Sequence, residues 1–221
     1  MQRALILSFS PLYLEEGFPD RLREQGEEFG FEDLSSLEGT SCYCSGEAAE
    51  KIAETLSGHG EKLRWIDTGD YHYVSYLFAK SVGEEFSLLL LDNHPDDQEA
   101  GLGDILSCGG WVKALRERNP NLREVYWNSV EDIPEGETVY VSLDKDLMGR
   151  EYSRTDWSQG EWTLSEVEDA LREVVRKGCR ILAVDVCGGV TFSKGATPED
   201  MRINLVTDTR LYEFLKELIT T

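Results

Sequence analysis

Short apolar runs alternate with amphipathic stretches along the chain. The apolar runs predict strands over residues 4–7, 63–66, 86–91, 125–127, 138–143 and 180–186. The run at 86–91 (FSLLLL) shows no alternation of apolar and polar positions beyond Ser87. Such a run is typical of a strand that is buried on both faces, as in a parallel sheet.

The stretches between these runs repeat their apolar positions with helical spacing. They predict helices over residues 47–57, 71–82, 105–118, 163–177 and 211–219. Thr163 and Glu166 form a capping box before the fourth helix, and Gly178 ends it. Strand–helix alternation predicts an α/β fold, a three-layer α/β/α sandwich with a central, mostly parallel sheet. Because no linker interrupts the alternation, residues 1–221 are predicted to form one domain.

Composition narrows the classes of function. The 221 residues are 40% hydrophobic, enough for a core, and 22 basic against 43 acidic residues give a net charge of −21. This charge argues against nucleic-acid and anionic-membrane partners, and no run approaches the roughly 18 apolar residues of a membrane span. The N-terminus lacks a convincing cleavage site for a signal peptide. Five cysteines, an odd number, fit reduced thiols and a cytoplasmic location.

Acidic motifs follow two of the predicted strands. The residues are Asp92, His94 and Asp96 after the third strand, and Asp144 and Asp146 after the fifth. Alternate residues of an extended chain point the same way, and ligand sites of open parallel sheets lie beyond the carboxyl ends of the strands. Carboxylates gathered there without a cation would repel one another by several kcal/mol. We therefore predict divalent metal; this donor set suits Mn²⁺, with Fe²⁺, Co²⁺ and Zn²⁺ as alternatives, and two ions fit the number of ligands.

Two further strands lead to candidate residues. The strand at 63–66 leads to His72, and the strand at 180–186 contains Asp185. Only three histidines occur in the chain, and two of them, His72 and His94, lie in these segments. Purely structural interpretations stay open, because a DxD motif often caps a helix and a histidine on an amphipathic helix often packs in the core.

The order of these motifs resembles that of the ureohydrolases: arginase, agmatinase and formimidoylglutamase. The resemblance rests on His72, on DNHPD at 92–96 and on SLDKD at 142–146, and it extends from Gly69 to the C-terminal helix. It implies an arginase-like fold, shared with the histone-deacetylase-like amidohydrolases, and two manganese ions.

The resemblance also implies roles for individual residues. One ion would be held by His72, Asp92, Asp96 and Asp144. The other would be held by His94, Asp92, Asp144 and Asp146. Asp96 would also accept a proton, and Asp185 would bind a guanidinium group in place of the family's glutamate.

The implied reaction is hydrolysis of a C–N bond in a small guanidino, amidino or amide substrate by a hydroxide between the two ions. A cationic substrate suits the negative charge of the chain. Candidate substrate contacts are Trp111 and Trp157, for which core packing is the alternative, and Arg154 in the long connection at 150–161. Related enzymes often form oligomers, so a homo-oligomer is an open expectation.

Two other functions remain open from the sequence. A phosphotransferase of the haloacid-dehalogenase type would use Asp144 as nucleophile, but it leaves DNHPD unexplained. A non-catalytic protein that keeps the metals is favoured by one departure from the family. No histidine occurs at 107–111, near the place where the family has a second histidine after its DAHxD motif.

Overall fold

A central parallel sheet organises the molecule. The computed structural model describes residues 4–99 and 105–220. Its strands, in chain order, are β1 (Ala4–Ser8), β2 (Phe29–Asp33), β3 (Tyr43–Cys44), β4 (Leu63–Ile66), β5 (Phe86–Leu91), β6 (Leu106–Ser107), β7 (Leu122–Trp127), β8 (Thr138–Asp144) and β9 (Arg180–Cys187). Seven of these described strands pair in the order β2-β1-β4-β9-β8-β5-β7, all parallel. The short strands β3 and β6 form a separate antiparallel pair.

Helices cover both faces of the sheet. They are α1 (Leu12–Glu16), α2 (Phe18–Glu24), α3 (Gly46–Leu56), α4 (Val74–Lys80), α5 (Trp111–Arg118), α6 (Leu164–Arg176) and α7 (Pro198–Thr220). One buried cluster packs α1, α2, α6 and α7 against one face, and a second packs α3, α4 and α5 against the other. The predicted three-layer α/β/α architecture is therefore confirmed. Within the described residues, no helix combines the length and apolar character needed to cross a membrane.

Several predicted boundaries differ from the structure. The helix predicted from residue 105 begins only at Trp111, because residues 106–107 pair with β3 instead. The helix predicted at 211–219 is the end of the much longer α7. The stretch predicted as one helix at 71–82 is a 3₁₀ turn, Gly69–Tyr71, followed by α4. Strand β2 was missed because it lies at the sheet edge and remains partly exposed, without a continuous apolar run.

The sheet order brings four carboxyl ends together. Strands β4, β9, β8 and β5 are successive neighbours in the sheet. In register, Leu91 of β5 lies opposite Leu143 of β8, so the acidic residues that follow both strands start from the same level. The 3₁₀ turn after β4 supplies the remaining segment at this edge.

Candidate metal centre

The structure brings all six predicted ligands to one edge of the sheet. We call this set the site cluster: His72, Asp92, His94, Asp96, Asp144 and Asp146. Five of the six are at most 7% exposed, whereas the His94 side chain is 34% exposed. The site cluster lines a pocket at the carboxyl ends of the strands, where parallel sheets place their ligand sites.

His72 lies at the centre of one half of the site cluster. Its Nδ1 lies 3.2 Å from Asp92 Oδ2, 3.1 Å from Asp96 Oδ2 and 3.5 Å from Asp144 Oδ2. The opposite ring nitrogen, Nε2, lies 2.8 Å from Ser142 Oγ. The ring therefore presents one nitrogen to three carboxylates and the other to a hydroxyl group.

His94 lies at the centre of the other half. Its Nδ1 is 2.8 Å from Asp146 Oδ2 and 3.6 Å from Asp92 Oδ1. Its Nε2 contacts Ser158 Oγ at 2.8 Å, and Trp157 packs edge-on against the ring. The halves meet at Asp92, whose two oxygens face different imidazoles.

The ionisation of these groups shows how poorly the site cluster balances its own charge. Burial and the charge of Asp92 raise the pKa of Asp144 to about 6. Burial and the charges of Asp144 and Asp92 raise the pKa of Asp146 to about 10. Burial opposes the charge on His72, but the neighbouring Asp92 and Asp96 outweigh it and raise the pKa of His72. The protein alone thus favours bound protons where a cation would otherwise sit.

The donor set fits divalent metal. The ligand atoms of His72, Asp92 and Asp144 lie within 4.8 Å of one another, and so do those of Asp92, His94 and Asp146. Asp92 Oδ2 is buried, yet it accepts no hydrogen bond from the described residues. Such an orphaned carboxylate oxygen needs a partner, and mixed carboxylate–imidazole donors suit Mn²⁺ and related ions.

A glycine that sequence reasoning missed makes this convergence possible. Gly188 follows β9, which lies between β4 and β8 in the sheet, and adopts φ +100°. A Cβ at this position would lie 2.5 Å from Asp144 Oδ1. The signal in the sequence is the Gly188–Gly189 pair directly after a buried strand, but only the structure shows which side chain needs the space.

Trp111 has a role other than the predicted one. It is fully buried and packs against His72 with ring centroids 5.1 Å apart. Its indole Nε1 donates a 2.6 Å hydrogen bond to Asp96 Oδ2. Trp111 therefore orients the predicted ligand Asp96 and does not line the pocket. Apart from the site cluster, the described lining is Gly69, Gln98, Cys108, Gly109 and Trp157.

Asp185 and Arg154 also lie away from the predicted positions. Asp185 has no exposed surface; it accepts a 2.5 Å hydrogen bond from Tyr140 Oη and contacts Arg64 Nη1 at 3.2 Å. This corrects the expectation that Asp185 faces a substrate. Arg154 pairs with Asp200 on α7, where its Nε lies 2.8 Å from Oδ1, and it does not line the pocket.

Known proteins share this architecture. No protein-family model matches the chain. An uncharacterised protein from Thermotoga maritima is 25% identical over 201 residues, which cover 83% of this chain and 78% of that protein. An arginase from Medicago truncatula matches with a TM-score of 0.67 at 16% identity, covering 98% of this chain and 87% of that one.

Two other solved structures extend the comparison. Proclavaminate amidino hydrolase from Streptomyces clavuligerus has a TM-score of 0.63 at 14% identity, with 100% of this chain and 93% of that one covered. Formimidoylglutamase from Bacillus subtilis has a TM-score of 0.61 at 12% identity, with 97% and 87% covered. At these identities the likeness shows the fold, and this chain has the fold of the ureohydrolases.

Proposed function

We propose that this chain is a binuclear manganese-dependent hydrolase of the ureohydrolase type. It would cleave a C–N bond of a small guanidino, amidino or amide substrate. The observation that carries the proposal is the pair of donor groups that share Asp92 at the carboxyl ends of the central strands. Free thiols at all five cysteines accord with the reducing cytoplasm that we propose as its location.

The chain's own residues divide between two ions. The first would be held by His72, Asp92, Asp96 and Asp144. The second would be held by His94, Asp92, Asp144 and Asp146. Bound divalent cations would neutralise these acids and make a water molecule a nucleophile near neutral pH.

Asp96 is the residue that would handle protons. Its Oδ2 accepts the indole hydrogen bond of Trp111 and faces His72. The other oxygen, Oδ1, accepts no hydrogen bond from the described residues and would take the proton. Burial raises the pKa of the Asp96 carboxyl, so it binds a proton more readily than an exposed aspartate does. It would pass that proton to the departing nitrogen, as a general acid must.

The pocket lining bears on the substrate class. Outside the site cluster, the described lining residues carry no charge. The acid predicted to bind a cationic group, Asp185, is buried against Arg64 instead. Within the proposed class, this lining favours a small, uncharged amide over a guanidinium ion. Trp157 would provide an apolar wall for it.

A non-catalytic metal protein is the second candidate. His72 and His94 belong to the site cluster, and the third histidine, His59, contacts Glu61 and Glu32 elsewhere. The described pocket therefore has no additional histidine to shuttle protons. The phosphotransferase alternative gains no support from the ureohydrolase fold.

The decisive experiment counts metal. Wild-type protein reconstituted with manganese and passed through gel filtration is expected to retain two ions per chain by elemental analysis. Asp92→Asn removes the shared ligand, and Asp144→Asn removes the other proposed bridge; each is expected to lose bound manganese. Asp169→Asn, the same change on the exposed face of α6, is the matched control and should retain both ions.

Substrate screening separates the two candidate functions. Guanidino, amidino and N-acyl compounds are assayed for release of urea, ammonia or amine with manganese present. Turnover that disappears in Asp92→Asn supports the hydrolase. Full metal occupancy without turnover across the library supports the non-catalytic protein, and unchanged metal content in both ligand variants refutes the metal assignment.

A further inference from the structure

A wide groove lies on the helical layer that contains α3 and α4. Residues of α3, α4 and β6 line it, and its volume is about 820 Å³. Pockets that hold small molecules typically measure about 300–1,000 Å³. The groove shares no described lining residue with the pocket of the site cluster. A ligand of ordinary size could therefore bind here without touching the metal centre.

Small and apolar side chains form the walls of this groove. On α3, Ala49 and Ala53 lie one turn apart and leave space beside the helix, and Leu56 follows them. On the other side, α4 contributes Leu77 and Phe78. A ligand with an apolar body would remove these walls from water, and that burial favours binding.

The charged groups of the groove differ from those of the whole chain. The chain has 43 acidic and 22 basic residues. The described lining of the groove has one acid, Glu50, and four residues with basic side chains: His59, Arg64, Lys80 and Arg118. His59 already contacts two glutamates, whereas the ammonium group of Lys80 lies over the Tyr76 ring at 5.9 Å from its centroid. An anion is therefore the ligand whose charge complements this lining.

Arg64 offers the groove a fixed hydrogen-bond donor. Its Nε donates to the Glu61 carbonyl at 2.8 Å, and its Nη1 donates to Tyr140 Oη at 2.8 Å and to Asp185 Oδ1 at 3.2 Å. Its guanidinium also lies over the Phe78 ring, 3.9 Å from the centroid. Nη2 donates to no described residue, and it is not among the atoms sealed from solvent without a partner. Because the rest of the group is held in place, the two N–H bonds of Nη2 are preorganised for a ligand.

We propose that this groove binds a small organic anion, a carboxylate with an apolar aliphatic body. The carboxylate would accept hydrogen bonds from Arg64 Nη2, and the body would pack between α3 and α4. Arg64 already shares its charge with Asp185, so Lys80 would supply the positive charge that balances the ligand. One fixed N–H pair and one flexible ammonium group match the two oxygens and single charge of a carboxylate. The proposal does not depend on the metal centre.

The experiment is isothermal titration calorimetry of the full chain with decanoate, below the concentration at which decanoate forms micelles. We expect saturable binding of one decanoate per chain, both with and without manganese. Decyltrimethylammonium has an apolar body of the same length but the opposite charge, and it should bind more weakly by about tenfold or more. Non-specific adsorption to this acidic chain would favour the cation instead.

Variants of the lining locate the binding site. Ala53→Trp fills the groove and should abolish decanoate binding, and Lys80→Gln should weaken it by about tenfold. Both residues are exposed, so these variants should fold even if Arg64→Met, which should weaken binding at least as much, does not. Glu54→Trp and Lys51→Gln make the same kinds of change on α3 outside the described lining, and their affinities should match the wild type.

Several outcomes would overturn the proposal. They are the absence of saturable decanoate binding, equal affinities for decanoate and the cation, and an unchanged decanoate affinity in Ala53→Trp or Lys80→Gln. Sedimentation velocity tests the other occupant: a wild-type dimer that Ala53→Trp dissociates, without decanoate binding, would show that a second copy of the chain covers the groove. Each of these results leaves the metal centre standing, because manganese is counted separately.

Discussion

Two of the regions in which the structure buries carboxylates handle charge in opposite ways. In one region, which we call the paired cluster, Asp185 lies between Arg64 and Tyr140. Burial raises the pKa of Asp185, while the charge of Arg64 and the hydrogen bond from Tyr140 act against that rise. A cation and a hydroxyl group supplied by the chain itself satisfy this acid.

The site cluster has no such balance. Four carboxyl groups face two imidazoles, and Asp92 Oδ2 is buried without a hydrogen bond from the described residues. Even two protonated imidazoles would leave an excess of acid. The comparison teaches that this fold can neutralise a buried aspartate when it places an arginine beside it. At the strand ends the described residues place no arginine or lysine beside the acids, and the proposed metal ions would supply the missing positive charge.

The largest expected effect comes from breaking the balance of the paired cluster. Arg64→Met keeps most of the apolar stem but leaves the Asp185 carboxylate without its cation. Loss of one partner of a buried ion pair typically costs about 3–5 kcal/mol. We therefore expect the free energy of unfolding, measured by urea denaturation of the metal-free protein, to fall by that amount.

An exposed arginine provides the matched control. Arg123 pairs with Glu85, but 53% of its side chain is exposed, and water solvates both charges. Arg123→Met should leave the urea midpoint nearly unchanged. A small loss for Arg64→Met, similar to the control, would show that Asp185 is not an ionised, buried partner and would remove the contrast between the two regions.

The second prediction concerns the site cluster, where a substitution is expected to raise the free energy of unfolding of the metal-free protein. Asp146 is 2% exposed, and burial with the charges of Asp144 and Asp92 raises its pKa to about 10. At neutral pH the folded, metal-free protein must therefore keep a proton that the unfolded chain releases, which destabilises the fold. Asp146→Asn should stabilise the metal-free protein by on the order of 2 kcal/mol in urea denaturation.

Manganese should reverse this result. In the presence of the ion, the wild type gains stability from ligand binding, whereas Asp146→Asn has lost a ligand and should gain less. The same change at the paired cluster, Asp185→Asn, should destabilise the metal-free protein. Destabilisation of the metal-free protein by Asp146→Asn would mean that the site cluster is already balanced without metal.

The sequence predicts the central strands, which are buried on both faces of the sheet. It predicts the edge of the sheet poorly. The continuous apolar run of β5 and the capping box at Thr163 determine local structure directly, and both agree with the structure. Strand β2 depends on tertiary packing, because its apolar residues find a partner only when the sheet has formed. The start of α7 does carry a local signal that sequence reasoning missed: Thr197 and Asp200 exchange capping hydrogen bonds, and Pro198 occupies the first helical position.

The residues of the candidate site also fall into those that the sequence predicts and those that only the tertiary structure reveals. Ligands that follow a strand at alternate positions, such as Asp92 and His94, can be read from their spacing. The partners of Asp185 cannot, since Arg64 and Tyr140 come from neighbouring strands and meet it only through the sheet order. Trp111 belongs to the same class: it reaches Asp96 because α5 packs over the strand ends.

The smallest expected effect lies at the surface, where charge is paired but hydrated. Glu27 contacts Lys216 Nζ at 2.5 Å and accepts a 2.8 Å hydrogen bond from Tyr212 Oη. The hydrogen bond from Lys216 is the main reason that the pKa of Glu27 lies below its usual value. Glu27→Gln should lower the free energy of unfolding at pH 7 by roughly 0.5 kcal/mol.

The lowered pKa of Glu27 also predicts how its contribution to stability changes with pH. A carboxyl group whose pKa is lowered by folding stabilises the protein above the pKa of the unfolded chain, near 4.3 for glutamate, and loses that contribution as pH falls through the folded value. The difference between wild type and Glu27→Gln should therefore shrink from pH 7 toward pH 3 in urea denaturation. Added salt at pH 7 should shrink it as well, because screening weakens exposed pairs, whereas the effect of Arg64→Met should resist salt. If the difference in unfolding free energy between wild type and Glu27→Gln grows on acidification, the Glu27–Lys216 pair does not behave as a hydrated surface pair. It could then no longer serve as the exposed pair with which the buried paired cluster is compared.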